Sequence, residues 1–150
     1  MLFRSIISVA SSGFDASRAN SREMPYQAAK AALVTMTLYL AHELKPYNIS
    51  ANVLLPAHTA STGSDEQEAL RAAMRARAAA AGQPTFRPMR ARPEHVVPLA
   101  LFYADQDAEG VTGQVLNAMK WSEENGFGGP KDWIYEADRD DESVRAPGAR

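Results

Sequence analysis

Two short apolar runs, Ile6-Ile7-Ser8-Val9-Ala10 and Ile49-Ser50-Ala51-Asn52-Val53-Leu54-Leu55, bracket one helix-length segment, and this pattern limits the fold more than anything else in the chain. The first run is rich in β-branched residues, and each ends in turn formers, Ser11-Ser12-Gly13 after the first and Pro56 after the second. Such runs read as strands buried on both faces. Strands of that kind separated by a helix form a parallel pair joined by a crossover. Pro25 suits a first helical turn, and the spacing predicts a helix from there to about Leu44, ahead of Lys45-Pro46. Ala29, Leu33, Met36, Leu40 and Leu44 recur at helical steps and mark its expected buried stripe.

The rhythm continues downstream. A polar loop leads to a helix over 65–81, with acids at its start, arginines toward its end and Gly82 as its stop. Pro93-Glu94 opens another helix, whose apolar run Val96 to Phe102 extends to about Ala104 with Pro98 in its early turns. Gln114-Val115-Leu116-Asn117 is a last short strand, and from Ala137 a charged tail has little to bury. Strand, helix, strand, helix, helix, strand is the order of an α/β protein with parallel strands and right-handed crossovers.

Composition narrows the function. The 150 residues are 45% apolar and 23% charged with a net charge of −2, which suits one soluble domain and gives no global attraction to nucleic acid or anionic membrane. No cysteine is present, excluding disulfides, thiolate metal sites and cysteine nucleophiles, so redox chemistry would need a cofactor. No run approaches the ~20 apolar residues of a membrane span, and the expected location is the cytoplasm. His42, His58 and His95 lack metal-ligand spacing, and no metal is expected. His58, in a loop, could reach a substrate. The arginines at 71, 75, 77, 87, 90 and 92 could meet a phosphate, a carboxylate or RNA, but Asp65, Glu66 and Glu68 balance them and a solvated face is the simpler reading. No Gly-x-Ser-x-Gly elbow surrounds Ser11 or Ser12, so hydrolysis has little support.

Tyr26-Gln27-Ala28-Ala29-Lys30 carries chemistry. Positions i and i+4 lie one above the other on a helix, so Tyr26 and Lys30 share a face at its start. A phenol titrates near pH ~10, and a neighbouring ammonium favours the phenolate. A serine at the end of the adjacent strand could hold a substrate oxygen while the tyrosine moves its proton.

A serine-ended strand, Tyr-x-x-x-Lys at a helix start, the strand closing at Pro56, then Arg92-Pro93-Glu94 and Val111-Thr112-Gly113-Gln114-Val115-Leu116-Asn117 form an ordered series. The series resembles the second half of the short-chain dehydrogenase/reductase family over roughly residues 5 to 121. The resemblance implies an α/β fold, the C-terminal portion of a Rossmann-type doubly wound parallel sheet of three strands with flanking helices. The glycine-rich N-terminal half that receives the pyrophosphate is expected to be absent, because Gly126-Phe127-Gly128-Gly129 opens no helix. It implies NAD or NADP as cofactor and a small-molecule alcohol or carbonyl as substrate. Catalysis would fall to Ser11, with Ser12 the neighbouring choice, Tyr26 as general acid or base, and Lys30, which lowers the tyrosine pKa and contacts the nicotinamide ribose. Tyr26, Lys30, Pro56, Ala57, Thr59 and Ser61 would border the cofactor, with Ala57 standing where the family usually has glycine.

The expected organisation is a catalytic domain portion over 1–121, within which 57–92 is the substrate-binding segment, and a C-terminal extension over 122–150 whose last part is disordered. An exposed first-strand edge and an alanine face on the long helix (Ala28, Ala32) would suit a homo-oligomer built through that helix. The alternative is a non-catalytic remnant acting through helix-mediated association, with an arginine-rich binding module a more distant third reading. Substrate, NAD against NADP, and reaction direction are not encoded in these motifs.

Overall fold

The computed structural model describes residues 4–12, 23–83, 85, 87–140 and 144–145. They group into two compact units, the described residues of Met1–Pro56 with His95–Phe127, and those of Ala57–Glu94 with Gly128–Arg150.

The first unit is built on a three-stranded parallel sheet of order β1-β2-β4, formed by β1 (Arg4–Val9), β2 (Ile49–Leu55) and β4 (Val115–Asn117). β2 is central and has the most continuous apolar run, as a strand covered on both faces requires. Register sets Arg4 opposite Ile49 and Val9 opposite Leu54, and continues Val53 opposite Val115. Alternation then sorts the side chains. Ala10, Val53, Leu55 and Val115 meet Leu33 and Val34 of α1 (Met24–Leu44) on one face. Ile7, Leu54 and Leu116 meet Leu99 and Tyr103 of α3 (Val97–Ala104) on the other, with Ala118 and Trp121 of α4 (Ala118–Glu124) closing that core. Tyr103 is fully buried, and burial raises its pKa against the smaller opposing effect of a backbone hydrogen bond involving Leu116.

The handedness differs from the uniform right-handed expectation. Both crossovers step across the sheet in the same direction, but α1 and α3 lie on opposite faces. Two such crossovers have opposite hands. The right-handed preference belongs to a strand feeding a helix that packs straight back onto the sheet. Residues 57–94 intervene between β2 and α3 as part of a separate unit, which relaxes it.

The buried stripe of α1 also differs. Thr37 and Ala41 are its buried residues, whereas Ala29 and Met36 are exposed. The helix is apolar on most of its circumference, so periodicity alone could not choose the face that packs.

In the second unit, α2 (Thr62–Ala80) follows an isolated parallel bridge between Thr59 and Ala91. Ala91 is the hub: its N–H donates to the His58 carbonyl at 2.7 Å, its carbonyl accepts from Ala60 N–H at 2.9 Å, and it bridges antiparallel to Ile134. β3 (Arg87–Pro88) and β5 (Val144–Arg145) form a short parallel pair. Asp138, at the start of the charged tail, is only 1% exposed.

Candidate active site

α1 runs antiparallel to β1, and two polar contacts fix its position along the strand. Thr37 Oγ1 lies 2.8 Å from Ser8 Oγ and 2.7 Å from the Leu33 carbonyl. One hydroxyl proton goes to the carbonyl, and Ser8 supplies the other. Two turns toward the helix N terminus, on the same face, Lys30 Nζ donates to the Val9 carbonyl at 2.8 Å. The ammonium is thereby pinned at the C-terminal end of β1.

Tyr26 is one turn further, about 6 Å along the helix axis, past the point where the strand stops. Its ring centroid is 5.7 Å from Lys30 Nζ, within cation–π range. Tyr26 is 54% exposed. Ser11 and Ser12 follow Val9 within three residues and are both half-buried. Tyr26 and Lys30 therefore lie together beside the end of β1, where the two serines leave it. The loop over 13–22 lies outside the described residues. Open parallel sheets place ligands at the carboxyl ends of their strands, the end these residues occupy.

The other candidate cofactor residues divide between the units. Pro56 directly follows β2. In the second unit, Thr59 Oγ1 donates to the Ala57 carbonyl at 2.9 Å. Ser61 is the N-cap of α2, accepting from Ser64 N–H at 3.2 Å while its own N–H donates to Ser64 Oγ at 2.8 Å. Both hydroxyls thus already serve the backbone, a duty the motif did not suggest. Burial, then the charges of Arg71 and Arg90, lower the pKa of His58, with Glu68 and Asp138 opposing.

The residues fit the nicotinamide end of a dinucleotide. Lys30 has three N–H donors, and Val9 takes one of them among the described residues. Two remain for acceptors on a ligand. No glycine-rich turn opens a helix after a strand among the described residues, so they contain no pyrophosphate cradle. Nor do they hold a cluster of three metal-ligating side chains, and no helix among them is long and apolar enough to cross a membrane.

Three features escaped the sequence reading. Asn117 caps α4, its Oδ1 accepting from Lys120 N–H at 3.0 Å, and an Asn before Ala-Met-Lys was the available signal. Asn52, fully buried, ties β2 to the Thr112-Gly113 turn. Arg75, Arg87 and Arg90 pair with Glu68 and Asp65, two of the acids expected to balance them, but the buried Asp138 that also pairs with Arg87 and Arg90 was not foreseen.

A parallel α/β sheet with a tyrosine–lysine pair at its carboxyl edge defines the class as Rossmann-type. Residues 4–118 match the family profile described as enoyl-(acyl carrier protein) reductase. The fluoren-9-ol dehydrogenase of Terrabacter sp. (strain DBF63) is 35% identical over 124 residues, 83% of this chain but 32% of that protein. A 3-oxoacyl-[acyl-carrier protein] reductase from Brucella melitensis, solved with bound NAD, is 26% identical with a TM-score of 0.50, covering 75% of this chain and 38% of its own. An actinorhodin polyketide ketoreductase solved with NADPH shares the fold at a TM-score of 0.58 and 21% identity, covering 77% of this chain and 45% of its own. The chain belongs to the short-chain dehydrogenase/reductase family. It spans about a third of the length of that curated relative and less than half of these solved structures.

Proposed function

We propose that this chain carries the catalytic end of an NAD(P)-dependent oxidoreductase that interconverts a small-molecule alcohol and a carbonyl. The observation that carries the reading is the Tyr26–Lys30 pair, held on one turn of α1 with the ammonium pinned to the Val9 carbonyl. Ser11, or Ser12 beside it, donates a hydrogen bond to the substrate oxygen and orients the carbonyl. Tyr26 gives its proton to that oxygen in reduction and takes it back in oxidation. Lys30 holds its ammonium beside the Tyr26 ring and binds ribose hydroxyls with its two remaining donors. NAD or NADP, when bound, supplies or accepts the hydride. Pro56, Ala57, Thr59 and Ser61 border the cofactor, the last two through what their hydroxyls can offer beyond their present bonds. Residues 57–92 form the substrate-binding segment of a catalytic portion over 1–121, and 122–150 form an extension. The working compartment is the cytoplasm.

A second reading has its own observation. Met36 and Tyr39 are exposed on one side of α1, Tyr39 to 68%. That face would pair with a second copy of the chain, either supporting the enzyme as a homo-oligomer or acting as the sole function of a non-catalytic remnant. Tyr26→Phe in the native protein separates the two. An enzyme loses turnover by about a hundredfold or more and keeps cofactor affinity. Unchanged turnover removes Tyr26 from the chemistry.

A further inference from the structure

We infer that Asp138 is the clasp that holds residues 57–94 in one conformation, a positioning residue supplied from the extension. Its carboxylate is fully buried and takes hydrogen bonds from three places. Oδ2 accepts from the Arg90 backbone N–H at 2.9 Å and from Arg90 Nε at 3.0 Å. Oδ1 accepts from Arg90 Nη2 at 2.7 Å and from Arg87 Nη2 at 2.8 Å. Arg90 reaches on with Nη1 to Asp65 in the first turn of α2 at 2.6 Å, and Tyr135 stacks on its guanidinium at 5.0 Å. Arg87 also faces Glu68, which pairs with Arg75.

Among the described residues, polar contacts are the ties of α2 to the rest of its unit. Among its described side chains none is buried, and Leu70 and Met74 are exposed. Among the described residues of this unit, the buried hydrophobic ones are Ala60, Met89 and Ala91. A helix without a buried apolar face takes its position from its polar contacts. Asp65 and Glu68 join α2 to Arg90 and Arg87, and Asp138 joins both arginines to the extension. Removing the carboxylate would take from Arg87 and Arg90 the buried negative charge they share, a loss that opening of the segment to water relieves.

One consequence rests on the reading of 57–92 as the substrate-binding segment: Asp138 then tunes substrate affinity without touching substrate. The test is amide hydrogen exchange on the native protein and its Asp138→Asn variant. Exchange at 58–60 and 90–92 should accelerate at least about tenfold, as local opening predicts, while 49–55 stays protected. Unchanged exchange at 58–60 and 90–92 overturns the clasp. If Asp138→Asn unfolds the whole chain, Arg87→Gln removes one of the two arginines and leaves Arg90 in place. Faster exchange confined to 57–94 then supports the clasp, and unchanged or global exchange overturns it. Turnover of the same variants separates the two claims. A raised KM with unchanged kcat places the clasp over substrate. Faster exchange with an unmoved KM keeps the clasp and removes the substrate-binding reading of 57–92.

Discussion

Replacing Asn52 by leucine should cost this protein about 2–3 kcal/mol of folding stability. Asn52 sits in the central strand, fully buried, with Nδ2 donating to the Val111 carbonyl at 2.8 Å and Oδ1 accepting from Gln114 N–H at 3.0 Å. The same turn is held twice more, by Ala51 N–H donating to Thr112 Oγ1 at 3.1 Å and Gly113 N–H donating to the Ala51 carbonyl at 2.9 Å. Gly113 has φ +71°, a conformation that suits glycine and brings its N–H to the strand. Leucine is close in size, so the loss is one of hydrogen bonds without a large cavity. Each backbone group left without its buried partner costs about 1–3 kcal/mol. Val111 is half-buried and Gln114 exposed, so water recovers part of that cost and places the sum in the lower half of the range. Urea denaturation of the full chain measures it as a fall in midpoint at constant slope. A change under about 0.5 kcal/mol, the scatter of an ordinary surface substitution, would refute the claim that this side chain fixes the β2–β4 connection.

Two further outcomes follow from the geometry. Lys30→Met removes the bond to the Val9 carbonyl and the charge beside Tyr26, and steady-state kinetics should show cofactor KM raised about tenfold or more, the worth of a charged hydrogen bond, with kcat also reduced. For His58, burial, Arg71 and Arg90 set the folded pKa below the ordinary 6.5 against the opposing Glu68 and Asp138. The unfolded chain therefore takes up the proton first. This contribution is complete above pH ~6.5 and is lost as pH falls toward the lowered folded value. Denaturation midpoints from about pH 5 to 8 should show that slope, and His58→Gln should abolish it.

How far the sequence exposed this structure depended on how local each cause was. β1 and β2 were legible because a strand buried on both faces must be a continuous apolar run. The Tyr26–Lys30 pair was legible because one helical turn defines it. The packing face of α1 was not, since Met36 and Thr37 are adjacent and only the strand beneath decided that the threonine is buried and the methionine exposed. Ser11 and Ser12 stay indistinguishable for a similar reason: both follow the strand, and both are half-buried. Asp138 had no local signal at all, because its arginines lie 48 and 51 residues away and nothing in a charged tail marks one acid for burial.

Hydride transfer itself addresses the central claim. Native protein, expressed from its own locus, would be incubated with NADH or NADPH deuterated at the reactive nicotinamide carbon and with a panel of small ketones and aldehydes. Mass spectrometry would then look for deuterium in the alcohols. The account predicts deuterated product from the native protein and at least about a hundredfold less from Tyr26→Phe. Equal transfer by the variant, or none by the native protein from either cofactor, would contradict it.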